Sequence, residues 1–76
     1  MKKLDELRTR ARATVVRFDG DAALRKRLYA FGIEPECEIQ LKQKSLGNRT
    51  IEIRCNKSLI ALRQDEANRI TVRELP

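Results

Sequence analysis

Histidine and tryptophan are absent from the 76 residues, aromatic side chains are confined to Phe18, Tyr29 and Phe31, and cysteine occurs only at Cys37 and Cys55. The lack of histidine removes the commonest general base near neutral pH and the commonest metal ligand together. Two cysteines are too few for a disulfide scaffold or a four-thiolate zinc site. With only three glycines and two prolines, the composition is that of a folded domain rather than a low-complexity tail. The longest apolar run, Leu59-Ile60-Ala61-Leu62, is four residues long, against the roughly 20 that a membrane-spanning helix requires, so no membrane insertion is expected. Asp5 and Glu6 stand where a secretory signal would carry its apolar stretch, and the start reads as an unprocessed cytoplasmic one. A chain of this size buries only roughly 60% of the surface it exposes when unfolded. That leaves little material for a deep substrate cavity, so the expectation is one domain over residues 1–76 with no catalytic residues, no metal site and no cofactor.

What the chain has in excess is positive charge. Seventeen Lys and Arg against eleven Asp and Glu give +6 and a pI near 9.9. Residues 1–28 carry +5 of this and residues 29–76 only +1. Such an asymmetry suits nucleic acid, an anionic membrane surface or an acidic protein, and charge alone does not rank them. Readers of single strands stack bases on aromatic rings, and the three aromatics here include two Phe at expected core positions. The arginine-rich segments around Arg8, Arg10, Arg12 and Arg25-Lys26-Arg27 are therefore read first as a solvated face and next as a contact for an acidic protein. A basic nucleic-acid-binding module stays as the alternative.

The local patterns predict a mainly β chain with one inserted helix. Leu4 and Leu7 frame a short helical turn with both leucines inward. Arg12 to Phe18, with Thr14, Val15 and Val16, favours a strand. Asp19-Gly20-Asp21 then offers a turn and an N-cap, after which Leu24, Leu28 and Phe31 recur at helical spacing as a stripe expected to pack on the core. Gly32 and Pro35 end the helix. Cys37, Ile39 and Leu41 alternate with polar residues, as do Ile51, Ile53 and Cys55, which predicts two half-buried strands of a hairpin turned at Ser45-Leu46-Gly47-Asn48-Arg49. Asn56-Lys57-Ser58 gives another turn before Leu59 to Leu62. Gln64 to Asn68 reads as a helical turn, and Ile70-Thr71-Val72 as a last strand. About five short strands close most economically into a small barrel, which removes exposed edges.

Three stretches carry a resemblance to a known family. Leu28-Tyr29-Ala30-Phe31-Gly32-Ile33-Glu34-Pro35, Leu46-Gly47-Asn48, and Ile60-Ala61-Leu62-Arg63 followed by Glu66-Ala67 and Ile70-Thr71-Val72 are similar, in order and spacing, to the FeoA family of small bacterial accessory proteins of ferrous iron uptake. The match runs over roughly residues 4 to 74. It implies an SH3-like barrel, also similar to the C-terminal domain of some metal-dependent repressors, so a metal-responsive regulatory domain is a second alternative. It further implies a non-enzymatic protein that docks on the cytoplasmic, GTP-binding part of a FeoB-like membrane transporter and adjusts its activity; the sequence leaves open whether the docking surface meets that part, the membrane-embedded part or, by self-association, a second copy of the chain. Transition metal ion binding attaches to the resemblance only, since nothing in composition or spacing shows iron. Departures from the family pattern fall at Arg10, Glu36 and Asn56-Lys57, where the family carries glycine, and at Arg49, where proline is frequent. If these glycine positions require positive φ, Glu36 is strained.

Candidate partner-binding residues are Arg25, Tyr29 and Ile33 on the helix and its exit, with Leu46 in the hairpin loop. Tyr29 lies off the apolar stripe, Ile33 follows a helix stop, and Leu46 occupies a turn where polar residues are the rule. The competing expectation for Ile33 and Leu46 is that they plug the barrel ends. Cys37 and Cys55 are expected to share an inward face as packed thiols rather than as ligands. Glu34, Glu36 and Glu38 are expected as a solvated edge, and Arg63 as the ion-pair partner of Glu66.

Overall fold

The order of strands along the sheet explains how so short a chain encloses a core. The computed structural model describes the backbone of residues 1–76 and every side chain but that of Asn48. Six antiparallel strands, β1 (Lys2–Lys3), β2 (Arg12–Phe18), β3 (Glu38–Lys44), β4 (Thr50–Cys55), β5 (Ser58–Arg63) and β6 (Ile70–Glu74), form one sheet in the order β1-β6-β2-β3-β4-β5. Helix α1 (Ala22–Ala30) joins β2 to β3, and the single-turn helix α2 (Gln64–Ala67) joins β5 to β6. Apolar residues on the inner face pair across strands, as in Val15 with Val72, Leu41 with Ile53, Ile53 with Ile60 and Ile51 with Leu62. They form a single core cluster with Leu4, Leu7, Leu24, Leu28 and Ile33.

Two register shifts, between Val15 and Arg17 against β6 and between Leu41 and Gln43 against β4, bend their strands by one extra residue each. The bent sheet brings its two ends together. Asp5, in the 3-10 turn Leu4–Glu6 that follows edge strand β1, accepts hydrogen bonds from Gln64 Nε2 at 2.7 Å and Asn68 Nδ2 at 3.2 Å, both beyond edge strand β5. Its main-chain carbonyl accepts one from Lys44 Nζ at 2.9 Å. Side chains thus close the barrel where the sheet ladder does not.

The mainly β fold of about five strands with one inserted helix is as expected, and the sixth strand is the short β1. Lys2–Lys3 has neither alternation nor β-propensity. It becomes strand because Leu4 is buried next to it and Lys2 and Lys3 fall opposite Val72 and Thr71. Lys2 Nζ reaches Glu74 at 2.8 Å, and Lys3 Nζ reaches Asp19 at 2.8 Å and Thr71 Oγ1 at 3.2 Å.

Helix α1 starts as expected, with the Asp21 carboxylate accepting from Leu24 N–H at 2.9 Å. Gly20 precedes it because a Cβ there would stand 2.6 Å from Leu24 Cδ2. Its end differs from the expectation in two residues. Gly32 N–H donates to Tyr29 O and Ile33 N–H to Leu28 O, each at 2.9 Å, with Gly32 at φ +85°. This is the Schellman closure, in which the residue after the glycine packs on the helix residue five positions before it. Ile33 and Leu28 are both fully buried accordingly. Phe31, expected in the core, is 40% exposed and lies under the Arg27 guanidinium at 5.6 Å. Phe31 caps the helix in helical conformation, and Ile33, brought back by the closure, takes the core place beside Leu28.

The family glycine positions do require positive φ. Arg10 has φ 76°, Glu36 78° and Asn56 58°. Arg10 and Glu36 are each the third residue of a four-residue turn, closed by Ala11 N–H to Arg8 O at 3.0 Å and by Cys37 N–H to Glu34 O at 3.1 Å. With Pro35 second in its turn, this is type II chemistry, which favours glycine third. A side chain there costs roughly 1–2 kcal/mol in the folded state, partly offset because glycine loses more entropy on folding.

Three outcomes are expected. Glu36→Gly and Arg10→Gly should each raise stability by about 0.5–1 kcal/mol in urea unfolding. Asp5→Ala should lower it by about 1–3 kcal/mol, since Gln64 and Asn68 lose their acceptor. The Asp19 carboxyl is held below its usual value, first by the Lys3 hydrogen bond, with Arg17 adding to the effect against partial desolvation. Its contribution is therefore present above the unfolded-state value of about 4 and lost as pH falls through the lower folded value. Asp19→Asn should flatten that acid limb of the stability profile.

Candidate functional site

Of the four candidate contact residues, the structure leaves three at the surface. Tyr29 is 50% exposed, with its ring edge-on to Phe18 at a centroid distance of 5.7 Å and 75° between planes. Arg25 is exposed and donates from Nη1 to Gly20 O at 3.1 Å, which ties the first turn of α1 to the segment before it. Leu46 is wholly exposed in the loop between β3 and β4, beside Gly47 at φ 81°. Ile33 is removed from the contact surface, because the helix closure turns it into the core.

Three open concavities lie between the two ends of this surface. The first is lined by Ala22, Ala23, Arg25, Lys26 and Tyr29 on α1. The second, between α1 and α2, includes Ala23, Arg27, Asp65, Glu66 and Arg69. The third, at the β3–β4 loop, includes Gly47, Arg49, Thr50, Arg63 and Asp65. Ala23 borders the first and second, and Asp65 the second and third, so the three lie side by side as a track from Tyr29 past α2 to Gly47, the neighbour of Leu46. One main-chain bond holds the loop against α2 and a second closes the loop on itself. Gln64 N–H donates to Arg49 O at 3.0 Å, and Ser45 N–H to Thr50 O at 2.8 Å.

The electrostatics of the track are one-sided. Glu66 is the most enclosed of its carboxylates and is fully engaged, with Oε1 accepting from Arg63 N–H at 2.9 Å and Oε2 pairing with Arg27 Nη1 at 2.8 Å. The expected side-chain pair of Arg63 and Glu66 is thereby corrected: Glu66 takes the Arg63 main chain, and its charge is met by Arg27. Among the described residues, Arg25, Lys26, Arg49, Arg63 and Arg69 have no carboxylate within ion-pair distance, and of the acids on the track only Asp65 is likewise free. Five unpaired cations against one carboxylate make a surface that attracts acidic groups.

Sequence reasoning missed Phe31, Arg49 and Arg69 as surface features. Phe31 was hidden by the assumption that the helical stripe continued, while Arg49 and Arg69 join the track only through folding of distant segments. The three glutamates of the α1–β3 segment are exposed as expected, with Glu38 paired to Arg12 at 3.5 Å. No group of three or more Cys, Asp or Glu positioned to hold a metal occurs among the described residues. Among the described residues, no helix is long and apolar enough to cross a membrane.

Known proteins share this fold. A Campylobacter jejuni protein named for Fe(2+) transport, transport protein A, is 33% identical over 69 residues, covering 91% of this chain and 93% of its own. The solution structure of FeoA from Chlorobium tepidum superposes with a TM-score of 0.92 at 32% identity, over 97% of this chain and 70% of that one. The Stenotrophomonas maltophilia FeoA complexed with zinc, described as a procaryotic SH3 domain protein, gives 0.81 at 28% identity over 95% and 89%. A manganese-dependent transcriptional repressor shares the fold at 20% identity, with a TM-score of 0.89 over 97% of this chain and 41% of its own. The six-stranded sheet is thus an SH3-like fold, and since the FeoA domain model matches residues 2–74, the chain belongs to the FeoA family.

Proposed function

We propose that residues 1–76 act as one non-enzymatic, cytoplasmic accessory module of ferrous iron uptake, which docks on the cytoplasmic GTP-binding part of a FeoB-like transporter and adjusts its activity. The observation that carries this reading is the open cationic track from Tyr29 to Leu46. It is a long shallow surface with an apolar side chain at each end, suited to a protein face rather than to a small substrate. Its unpaired arginines favour an acidic partner surface, and arginine and tyrosine are the residue types that most often dominate binding energy at interfaces. The family relatives named for Fe(2+) transport and the fold shared with other FeoA proteins support the assignment to iron uptake.

Capture of the transporter's GTP-binding domain, measured by calorimetry, tests the docking. Leu46→Ser should leave stability within about 0.5 kcal/mol, and Tyr29→Ala should cost no more than about 0.5–1.5 kcal/mol through the lost Phe18 contact. Each should weaken capture by roughly tenfold or more, equivalent to about 1.4 kcal/mol. Arg63→Gln should weaken it further at low salt than at high salt, because exposed charges are screened. Capture unchanged in all three variants rejects the surface. Binding of an oligonucleotide that falls steeply with salt would assign the track to nucleic acid instead.

A further inference from the structure

The two cysteines are not merely neighbours in the core. Cys55 is 1% exposed on β4, whereas Cys37, just before β3, is only partly covered. Their Sγ atoms stand 3.9 Å apart, and Cys55 Sγ lies 3.5 Å from Gly32 O, the carbonyl of the residue that ends α1. Asn56 Nδ2 donates to Cys55 Sγ at 3.8 Å. Two thiols in contact, one reachable from solvent and one enclosed, form a pair in which oxidation of the first is intercepted by the second.

We propose that Cys37 and Cys55 are a reversible oxidation site, closing to an intramolecular disulfide when a peroxide reaches Cys37. The Cys37 thiolate attacks one peroxide oxygen. The O–O bond breaks, the departing hydroxide takes a proton to become water, and Cys37 is left as a sulfenic acid. The Cys55 sulfur then attacks the Cys37 sulfur, the S–O bond breaks, and the hydroxyl leaves with the Cys55 proton as a second water. Two thiols lose two electrons and two protons, and the peroxide is reduced to two waters.

The environment sets the order of these steps. Burial, the neighbouring Cys37 and the charge of Glu34 push the Cys55 thiol up to about 11, so Cys55 stays protonated and unreactive toward solutes. It becomes a nucleophile only toward an electrophilic sulfur already in contact with it. Rotation about the two side-chain bonds has to bring the sulfurs from 3.9 Å to a bond length of about 2 Å. Closure also removes the S–H facing Gly32 O, so oxidation is felt at the exit of α1, three residues after Tyr29. The chemistry stands independently of the docking reading; only its relevance to docking would rest on it.

Treatment of the reduced protein with hydrogen peroxide, followed by intact-mass and peptide analysis, tests the site. The expected product is a monomer lighter by ~2 Da, with both thiols lost together and restored by a dithiol reductant. Cys55→Ser should instead accumulate a sulfenic acid at Cys37 that a dimedone probe captures. Cys37→Ser, altering the less buried position, should leave Cys55 unmodified under the same treatment, and this keeps the test decisive if Cys55→Ser does not fold. The proposal is overturned if Cys37 gains about 32 or 48 Da while Cys55 remains a free thiol. It is equally overturned if the product is a Cys37-linked dimer, or if the folded protein loses neither thiol under peroxide that oxidises the urea-unfolded chain.

Discussion

Closure of the sheet at Asp5 is the constraint on which the rest of the molecule depends. A six-stranded antiparallel sheet has two edge strands, and here one is two residues long and the other leads directly into a single turn of helix. Neither edge offers a ladder to the other. The Asp5 carboxylate bridges them by accepting from Gln64 and Asn68, while its carbonyl engages Lys44 at the far end of β3. With the ends joined, Leu4 and Leu7 face the same interior as Ile51, Leu62 and Ile70, and all are fully buried. In a chain that buries only about three-fifths of its extended surface, apolar burial drives the inner face together and these few side-chain hydrogen bonds fix where its two ends meet.

That tight closure accounts for the strained turns. Each strand has to leave the barrel within a few residues, and the turns entering β2 and β3 both need a left-handed residue in third position. The chain accepts Arg10 and Glu36 there instead of glycine. Their main-chain neighbours are tied into the sheet, with Arg10 N–H donating to Leu41 O at 2.7 Å and Glu36 N–H to Val15 O at 2.8 Å. The surrounding ladder therefore imposes the conformation that the side chain disfavours. Asn56 meets the same demand in the β4–β5 turn at lower cost, because asparagine tolerates positive φ.

How much of this was legible depended on whether the signal was local. Alternation placed Ile39, Leu41, Ile51, Ile53 and Cys55 on the inner face, and Asp21 and Gly32 bounded the helix, because period and capping are written in adjacent residues. The glycine-shaped gaps at Arg10 and Glu36 were visible from the resemblance and correspond to positive φ. Burial of Ile33 was encoded too, in the spacing from Leu28 through Gly32, but it reads as misplacement unless the Schellman contact is recognised. Strand β1 was illegible because Lys2–Lys3 has no intrinsic preference, and only the partner strand β6 makes it extended. The track was illegible for a related reason: α1, α2 and the β3–β4 loop supply its residues from three separate segments, and no sequence window contains them.

The division of charge also separates fold from surface. Ion pairs join Lys2 to Glu74, Lys3 and Arg17 to Asp19, Arg12 to Glu38 and Arg27 to Glu66, and all but the Arg17 pair connect different elements. Apart from the pair to the largely enclosed Glu66, exposed pairs of this kind contribute at most about 1 kcal/mol each, so their effect is to fix which element lies beside which rather than to supply bulk stability. Glu66 is where the two uses of charge meet. By taking both the Arg63 main chain and the Arg27 guanidinium, it anchors α2 to α1 and removes the most enclosed negative charge from the track. The arginines on either side are left without a carboxylate, on a surface whose shape the same contact holds.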